Sequence, residues 1–280
     1  MRTDRREAPP KAYNNLDFLN SPDGRTIRIL SEFLEPRKRF RDAHIHDTIV
    51  FFGSARIQSP EIAHEALKEF RSKLKKRKRL GKSLLAQYQI LKNAVEMSKY
   101  YRDAERLTYM LTEWANRFDN RRHFVICSGG GPGIMEAANK GARKAGGKSI
   151  GLNISLPFEQ SPNPYITRGL AFEFHYFFMR KFWFIYLAKA LVMFPGGFGT
   201  FDEVFEVLTL LQTKKVIKPL PVVLYGRKYW NTVINFDAMV KMGTISEKDL
   251  ALIRFFDTPE ETFEYLQKEL TRIYRREHKG

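Results

Sequence analysis

From Thr48 onward the chain alternates short apolar runs with longer stretches whose apolar positions recur at helical spacing. The run Ile49, Val50, Phe51, Phe52 stops at Gly53 and Ser54 and reads as a first strand. Residues 60–118 are almost free of Gly and Pro and carry Leu84, Tyr88, Leu91 and Val95 at helical spacing, so one or two long helices are expected there, broken near Gly81. Strands are then expected at 124–127, 149–154, 171–174, 190–194, 220–225 and 253–256, and helices at 132–144, 177–189, 201–213, 230–242, 246–250 and 259–274. This order predicts an α/β protein with a mostly parallel sheet and helices on both faces, whose ligand sits beyond the carboxyl ends of the strands. The first 47 residues, with Pro9, Pro10, Pro22 and Pro36 and one short amphipathic helix expected at 27–34, read as an arm ahead of a single domain over 48–280.

Composition narrows the class. The chain has 280 residues, 43% of them hydrophobic, enough for a sizeable core. The apolar stretch 182–195 is interrupted by Lys189 and is shorter than the roughly 20 residues that cross a bilayer, so no membrane span is expected. The charged N-terminus does not read as a secretory signal. Cys127 is the single cysteine, which fits a reducing compartment, and a cytoplasmic location is expected. The formal charge of +17 is concentrated: eight of the thirteen residues from Arg71 to Ser83 are Lys or Arg, with Lys75, Lys76, Arg77, Lys78 and Arg79 consecutive. A solvated face is favoured there over a nucleic-acid contact, because neither an RNA-recognition signature nor zinc-finger spacing accompanies the run.

The chemistry gathers at three turns that follow strands. After the first comes Gly53-Ser54. The second is Ser128-Gly129-Gly130-Gly131-Pro132-Gly133, where adjacent glycines allow a close backbone approach and the amides of the next helix offer an anion site. In the third, Pro195-Gly196-Gly197-Phe198-Gly199-Thr200, the glycines can present donors to a phosphate and the Thr200 hydroxyl can cap the helix, leaving Asp202 and Glu203 in its first turn. Neither Gly-rich turn fits a Walker or dinucleotide pattern, so a mononucleotide or sugar phosphate ranks above ATP hydrolysis or hydride transfer. Upstream, Arg180 and Lys181 lie amid Phe177, Phe178, Phe182, Trp183 and Phe184, where an Arg needs an anionic partner.

The combination of Ser128-Gly-Gly-Gly-Pro-Gly-Ile-Met-Glu136, Met179-Arg180-Lys181 and Pro195-Gly-Gly-Phe-Gly-Thr-Phe-Asp-Glu203 resembles the LOG ("lonely guy") family, whose older description is lysine decarboxylase-like. The resemblance extends over about residues 48–270. It implies a Rossmann-like doubly wound fold, a homodimer, no metal, and hydrolysis of a nucleoside 5′-monophosphate to free base and ribose 5-phosphate. Residues 60–118, as a basic helical insert, and the N-terminal arm exceed the compact members. A lysine decarboxylase using pyridoxal phosphate would need a Schiff-base lysine and would leave the signature glutamate and arginine without a purpose, so no cofactor is expected.

For cleavage of an N-glycoside, Glu203 is the expected catalytic carboxylate and Arg180 its partner in catalysis. Gly53, Ser54, Gly129, Gly130, Gly131, Met179, Lys181, Gly196, Gly197, Gly199 and Thr200 are the expected substrate contacts, and Asp202 is expected only to favour the helix start. His44, His46 and Asp47 are read as a chain entry and not as metal ligands, and Cys127 as a packed thiol. Ser128 lacks the surroundings of a hydrolase nucleophile. The alternative is a non-catalytic protein on the same fold that binds a nucleotide or single-stranded nucleic acid.

Overall fold

The computed structural model describes residues 9–75, 81–118, 123–157 and 161–277. After a short 3-10 turn (Ala12–Asn14) come α1 (Leu16–Asn20), α2 (Arg25–Asp42), β1 (Thr48–Phe52), α3 (Pro60–Lys75), α4 (Lys82–Met97), α5 (Lys99–Ala115), β2 (Val125–Ser128) and α6 (Ile134–Lys144). The remainder is β3 (Ser149–Ile154), β4 (Ala171–Phe174), α7 (Phe177–Tyr186), β5 (Ala188–Met193), α8 (Phe198–Gln212), β6 (Val222–Tyr225), α9 (Arg227–Val233), α10 (Phe236–Lys241), α11 (Glu247–Leu250), β7 (Ile253–Phe256) and α12 (Pro259–Glu277).

The seven strands form one sheet in the order β4-β3-β2-β1-β5-β6-β7, every pairing parallel. This is the parallel sheet with helices on both faces anticipated from the alternation, in the doubly wound, Rossmann-like arrangement that the family resemblance implies. The chain winds outward from β1 to β4, then returns to the other side of β1 with β5, so the order reverses between β1 and β5 and a crevice opens above their carboxyl ends. Successive residues of each strand face opposite layers. Val50, Phe52, Cys127, Leu152, Leu191 and Met193 pack beneath α2, α7 and α8, whereas Ile49, Phe51, Ile126, Ala190, Val192 and Tyr225 pack beneath α5, α6 and α12.

Several boundaries differ from the sequence reading for local reasons. Helix α2 runs on through Pro36 to Asp42 instead of ending near residue 34. Helix α7 stops at Tyr186 and β5 begins at Ala188, because the Leu187 carbonyl accepts from Thr48 N at 2.9 Å and starts the pairing two residues early. The segment 230–242 divides into α9 and α10, since the Asn235 side chain accepts from Ala238 N at 2.9 Å and caps a new helix. In the stretch 60–118, Gly81 is extended ahead of α4, and the helix breaks again at Ser98. Its last helix, α5, is not an appendage: Leu107, Leu111 and Trp114 are buried against the sheet, and Gly141 of α6 fits so closely that a Cβ there would lie 2.1 Å from the Glu105 carbonyl oxygen. Lys76, Arg77, Lys78 and Arg79 of the basic run lie outside the described residues. Among the described residues no helix is long and apolar enough to cross a membrane.

Candidate active site

The turns after β1, β2 and β5 meet above the switch point and enclose a cavity of about 860 Å³. Its lining includes Gly53, Ser54, Gly129, Arg180, Gly196, Gly197, Gly199, Thr200 and Glu203, which the structure thereby brings together.

The turn after β5 is built to leave its glycines open. Gly197 caps α8, which begins at Phe198, so Gly199 and Thr200 lie inside the first helical turn and not before it. Space beside Gly197 and Gly199 is empty, whereas a Cβ on Gly196 would come within 2.0 Å of Thr200 Oγ1. The Tyr229 hydroxyl donates to the Gly196 carbonyl at 2.6 Å and fixes the turn from the side of α9. Asp202 and Glu203 consequently fall in the second turn of α8, and the helix has no acidic residue in its first turn. Asp202 therefore is not a helix-start residue. It forms an ion pair with Lys181 at 2.7 Å, and Lys181 also donates to Glu206 at 2.6 Å.

Glu203 is 5% exposed, and among the described residues its Oε2 has no hydrogen-bond partner. Burial raises its pKa from 4.5 to about 7, against the lowering charges of Lys181 and Arg180. The half-buried Arg180 donates from Nε to the Leu152 carbonyl at 2.7 Å and lies over the Phe184 ring, 5.0 Å from its centroid. Desolvation lowers its pKa while the Glu203 charge raises it. Gly129 is a glycine because a Cβ there would stand 2.6 Å from Arg180 Nη2. A buried carboxylate with an unused oxygen, a guanidinium and an open helix start thus share one cavity. Such a set can hold a phosphate, stabilise a cationic sugar and exchange a proton near neutral pH.

Other expected contacts are placed elsewhere. Met179 is buried in the core, and Lys181 turns away to Asp202 and Glu206; neither lines the cavity. Gly130 and Gly131 do not line it either, because the interior of the protein takes up their polar groups. Asn163 Nδ2 donates to the carbonyls of both at 3.1 Å and to Asn139 Oδ1 at 2.9 Å, while Ser128 Oγ donates to Asn139 Oδ1 at 2.7 Å and accepts from Gly130 N. The start of α6 is likewise taken: Ile134 N donates to the Ser54 carbonyl at 3.1 Å, and Gly133, not Pro132, precedes the helix at φ 69°. The anion site expected there is closed by protein.

Residues that the sequence reading did not single out also line the cavity, among them Arg56, Met135, Asn153, Phe177 and Tyr229. Asn153 carries the clearest signal, an amide at the end of the otherwise apolar β3; it donates to the Phe172 carbonyl at 3.0 Å. At the opposite end of the sheet, His123 Nδ1 lies 2.7 Å from Asp47 Oδ2 and His46 stacks on His123. No group of three or more His, Cys, Asp or Glu among the described residues is arranged to hold a metal. The Cys127 thiol is buried, and burial pushes its pKa up.

Fold and site define an α/β protein with an open cavity at the switch point of its parallel sheet. Residues 135–266 match the family model described as "Possible lysine decarboxylase". Over 127 residues it is 32% identical to the pyrimidine/purine nucleotide 5′-monophosphate nucleosidase of Escherichia coli (strain K12), covering 41% of this chain and 28% of that protein. The chain therefore matches less than a third of the length of that curated relative. An uncharacterized protein of Archaeoglobus fulgidus is 28% identical over 128 residues, covering 45% of this chain and 80% of its own. The molybdenum cofactor binding protein of Rippkaea orientalis overlays with a TM-score of 0.45 at 18% identity, covering 61% of this chain and 88% of that one.

Proposed function

We propose that this chain hydrolyses the N-glycosidic bond of a nucleoside 5′-monophosphate, with AMP or an N6-modified AMP as substrate, giving free base and ribose 5-phosphate. The observation that carries the reading is Glu203: a buried carboxylate with an unpartnered oxygen, beside Arg180, on the same helix whose open start can hold the 5′-phosphate.

The phosphate sits against the amides of Gly197 and Gly199 and the Thr200 hydroxyl, where the partial positive charge of α8 favours an anion. This delivers the ribose toward the second turn of the same helix, where Glu203 lies. As the bond between C1′ and the base nitrogen breaks, positive charge spreads over the sugar, and ionised Glu203 stabilises it. A water molecule then adds its oxygen to C1′; Glu203 takes one water proton and passes it to the departing base, so atoms and charge balance. A carboxyl poised near neutral pH suits both halves of this exchange, whereas one at the ordinary 4.5 would be a weak base. Arg180 holds the carboxylate and the phosphoribosyl group in register. Each step is carried by the chain's own backbone and side chains. The protein works as a cytoplasmic homodimer, for which exposed Phe178 and Tyr186 of α7 and Phe205 of α8 supply an apolar face.

The test is to incubate the purified protein with AMP, GMP, CMP, UMP and N6-substituted AMP and to quantify free base and ribose 5-phosphate. Release from at least one nucleotide is expected, and AMP is expected to bind far more tightly than adenosine. Binding without release from any of them would favour a nucleotide-binding protein and overturn the hydrolase reading.

A further inference from the structure

Helix α2, ahead of the sheet, grips the helix that carries Arg180 at two points through a single residue. Pro36 stands inside α2 and has no amide hydrogen, so the carbonyl of Glu32, four residues earlier, is left without its helical donor. The Trp183 indole donates to that carbonyl at 2.9 Å. The Glu32 carboxylate in turn accepts from His175 N at 2.7 Å and from Tyr176 N at 3.2 Å, the two amides that lead into α7. A negative charge at that end is favourable for the helix dipole. Phe33 packs on Phe182 and Trp183, with ring centroids 5.5 and 5.8 Å apart, and closes the contact. Arg180 lies between the two anchored points, with its own amide bonded to the Tyr176 carbonyl.

We propose that Glu32 is a positioning residue that sets Arg180 against Glu203 by bracing both ends of this stretch of α7. The proposal rests on the reading of Arg180 and Glu203 as the catalytic pair. Its effect falls on turnover more than on binding, because the phosphate is held by the start of α8, which Glu32 does not touch. It also reaches the titration of Glu203. That carboxyl is faced by Arg180 and Lys181, which lower its pKa, and by Glu206 and Asp202, which raise it. Letting Arg180 drift weakens one of the two lowering charges, so Glu203 should titrate at higher pH.

The experiment measures kcat, KM and the pH profile of base release from AMP for the full chain, Glu32→Ala and Glu32→Gln, with circular dichroism to establish folding. The NMR resonance of Arg180 Nε–H, assigned by its loss in Arg180→Lys, is followed alongside. For Glu32→Ala we expect kcat to fall about tenfold to a hundredfold with KM changed less than about threefold, the size of effect that sub-ångström to ångström misplacement produces. The pH profile should move upward and the Arg180 resonance should shift or broaden. Glu32→Gln keeps an acceptor for one amide and should recover part of kcat. A folded Glu32→Ala protein with unchanged kcat, pH profile and Arg180 resonance would overturn the proposal. Absence of base release by the unaltered protein would instead refute the catalytic reading, and an unperturbed Arg180 resonance in Glu32→Ala would then refute the brace on its own.

Discussion

Two glycine-rich turns follow adjacent regions of one sheet, and they do opposite things. The turn after β2 is filled from within: Asn163 bonds the carbonyls of Gly130 and Gly131, Ser54 accepts the first amide of α6, and Gly133 leaves no room beside the Ser54 carbonyl. The turn after β5 has nothing beside Gly197 and Gly199, and its helix start faces the cavity. Both sequences look like anion sites because glycine serves two ends, admitting a ligand to the backbone and admitting the protein's own backbone to itself. What separates them is whether other parts of the chain already satisfy the exposed groups.

The strongest way to sharpen this contrast acts on the carboxylate that only the open turn serves. Glu203→Gln should reduce single-turnover base release by about a hundredfold to ten-thousandfold, the usual contribution of a positioned acid or base, while AMP binding by calorimetry largely survives. The same substitution should make the empty protein more stable above neutral pH. Because burial raises the carboxyl's pKa from 4.5 to about 7, the folded state binds a proton that the unfolded chain has lost; stability is full below that window and falls as pH rises through it. Removing the charge should abolish this slope, a gain of up to about 3 kcal/mol at pH 8 in urea unfolding.

A paired test sets the turns directly against each other. Gly199→Leu places a side chain in empty space within the cavity, so AMP affinity should fall by about a hundredfold or more with little change in Tm. Gly133→Ala should do the reverse. Its φ of 69° and a Cβ only 2.4 Å from the Ser54 carbonyl oxygen should cost about 1–3 kcal/mol of stability. If Gly199→Leu unfolds the protein while Gly133→Ala is silent in stability, the distinction between the open and the filled turn fails.

Asn163→Ala leaves the Gly131 carbonyl without its buried donor, while the Gly130 carbonyl keeps the amide of residue 163 and Asn139 keeps the Ser128 hydroxyl, and should lower stability by about 1–3 kcal/mol in chemical denaturation, with turnover retained at temperatures where the protein stays folded. The smallest effect is expected for Asp202→Asn. Its side chain is 56% exposed and Lys181 keeps Glu206 as a partner, so stability should change by less than about 1 kcal/mol and turnover by only a few-fold.

The layered fold was legible from the chain because its signals are local. The strands at 149–154, 171–174 and 253–256 coincide with β3, β4 and β7, being apolar runs bounded by turns on both sides. Arg180 and Glu203 were legible as a pair only through the family motif, since 22 positions separate them and no periodicity relates one to the other. The functions of Gly130 and Gly131 were hidden because Asn163 lies more than 30 residues downstream, and a sequence gives no register between the two. Lys181 was misplaced for a related reason. Its neighbour Arg180 points inward, but one step along a helix turns a side chain by about 100°, which sends Lys181 toward Asp202 and Glu206. Pro36 hid the length of α2, because the donor that compensates for its missing amide is supplied by Trp183 from another element.

The position of β1 in the middle of the sheet bears on how the molecule is made. Its partners are β2 and β5, and the second of these lies about 140 residues further along the chain. During synthesis the apolar edge of β1 waits, unpaired on that side, until the chain through Met193 has been released. The cavity cannot exist before then, since its three turns come from strands whose pairing is completed only by β5. A ligand of this cavity present during translation therefore has nothing to bind until most of the sheet has formed, and rescue of folding by ligand is a property of the late nascent chain alone.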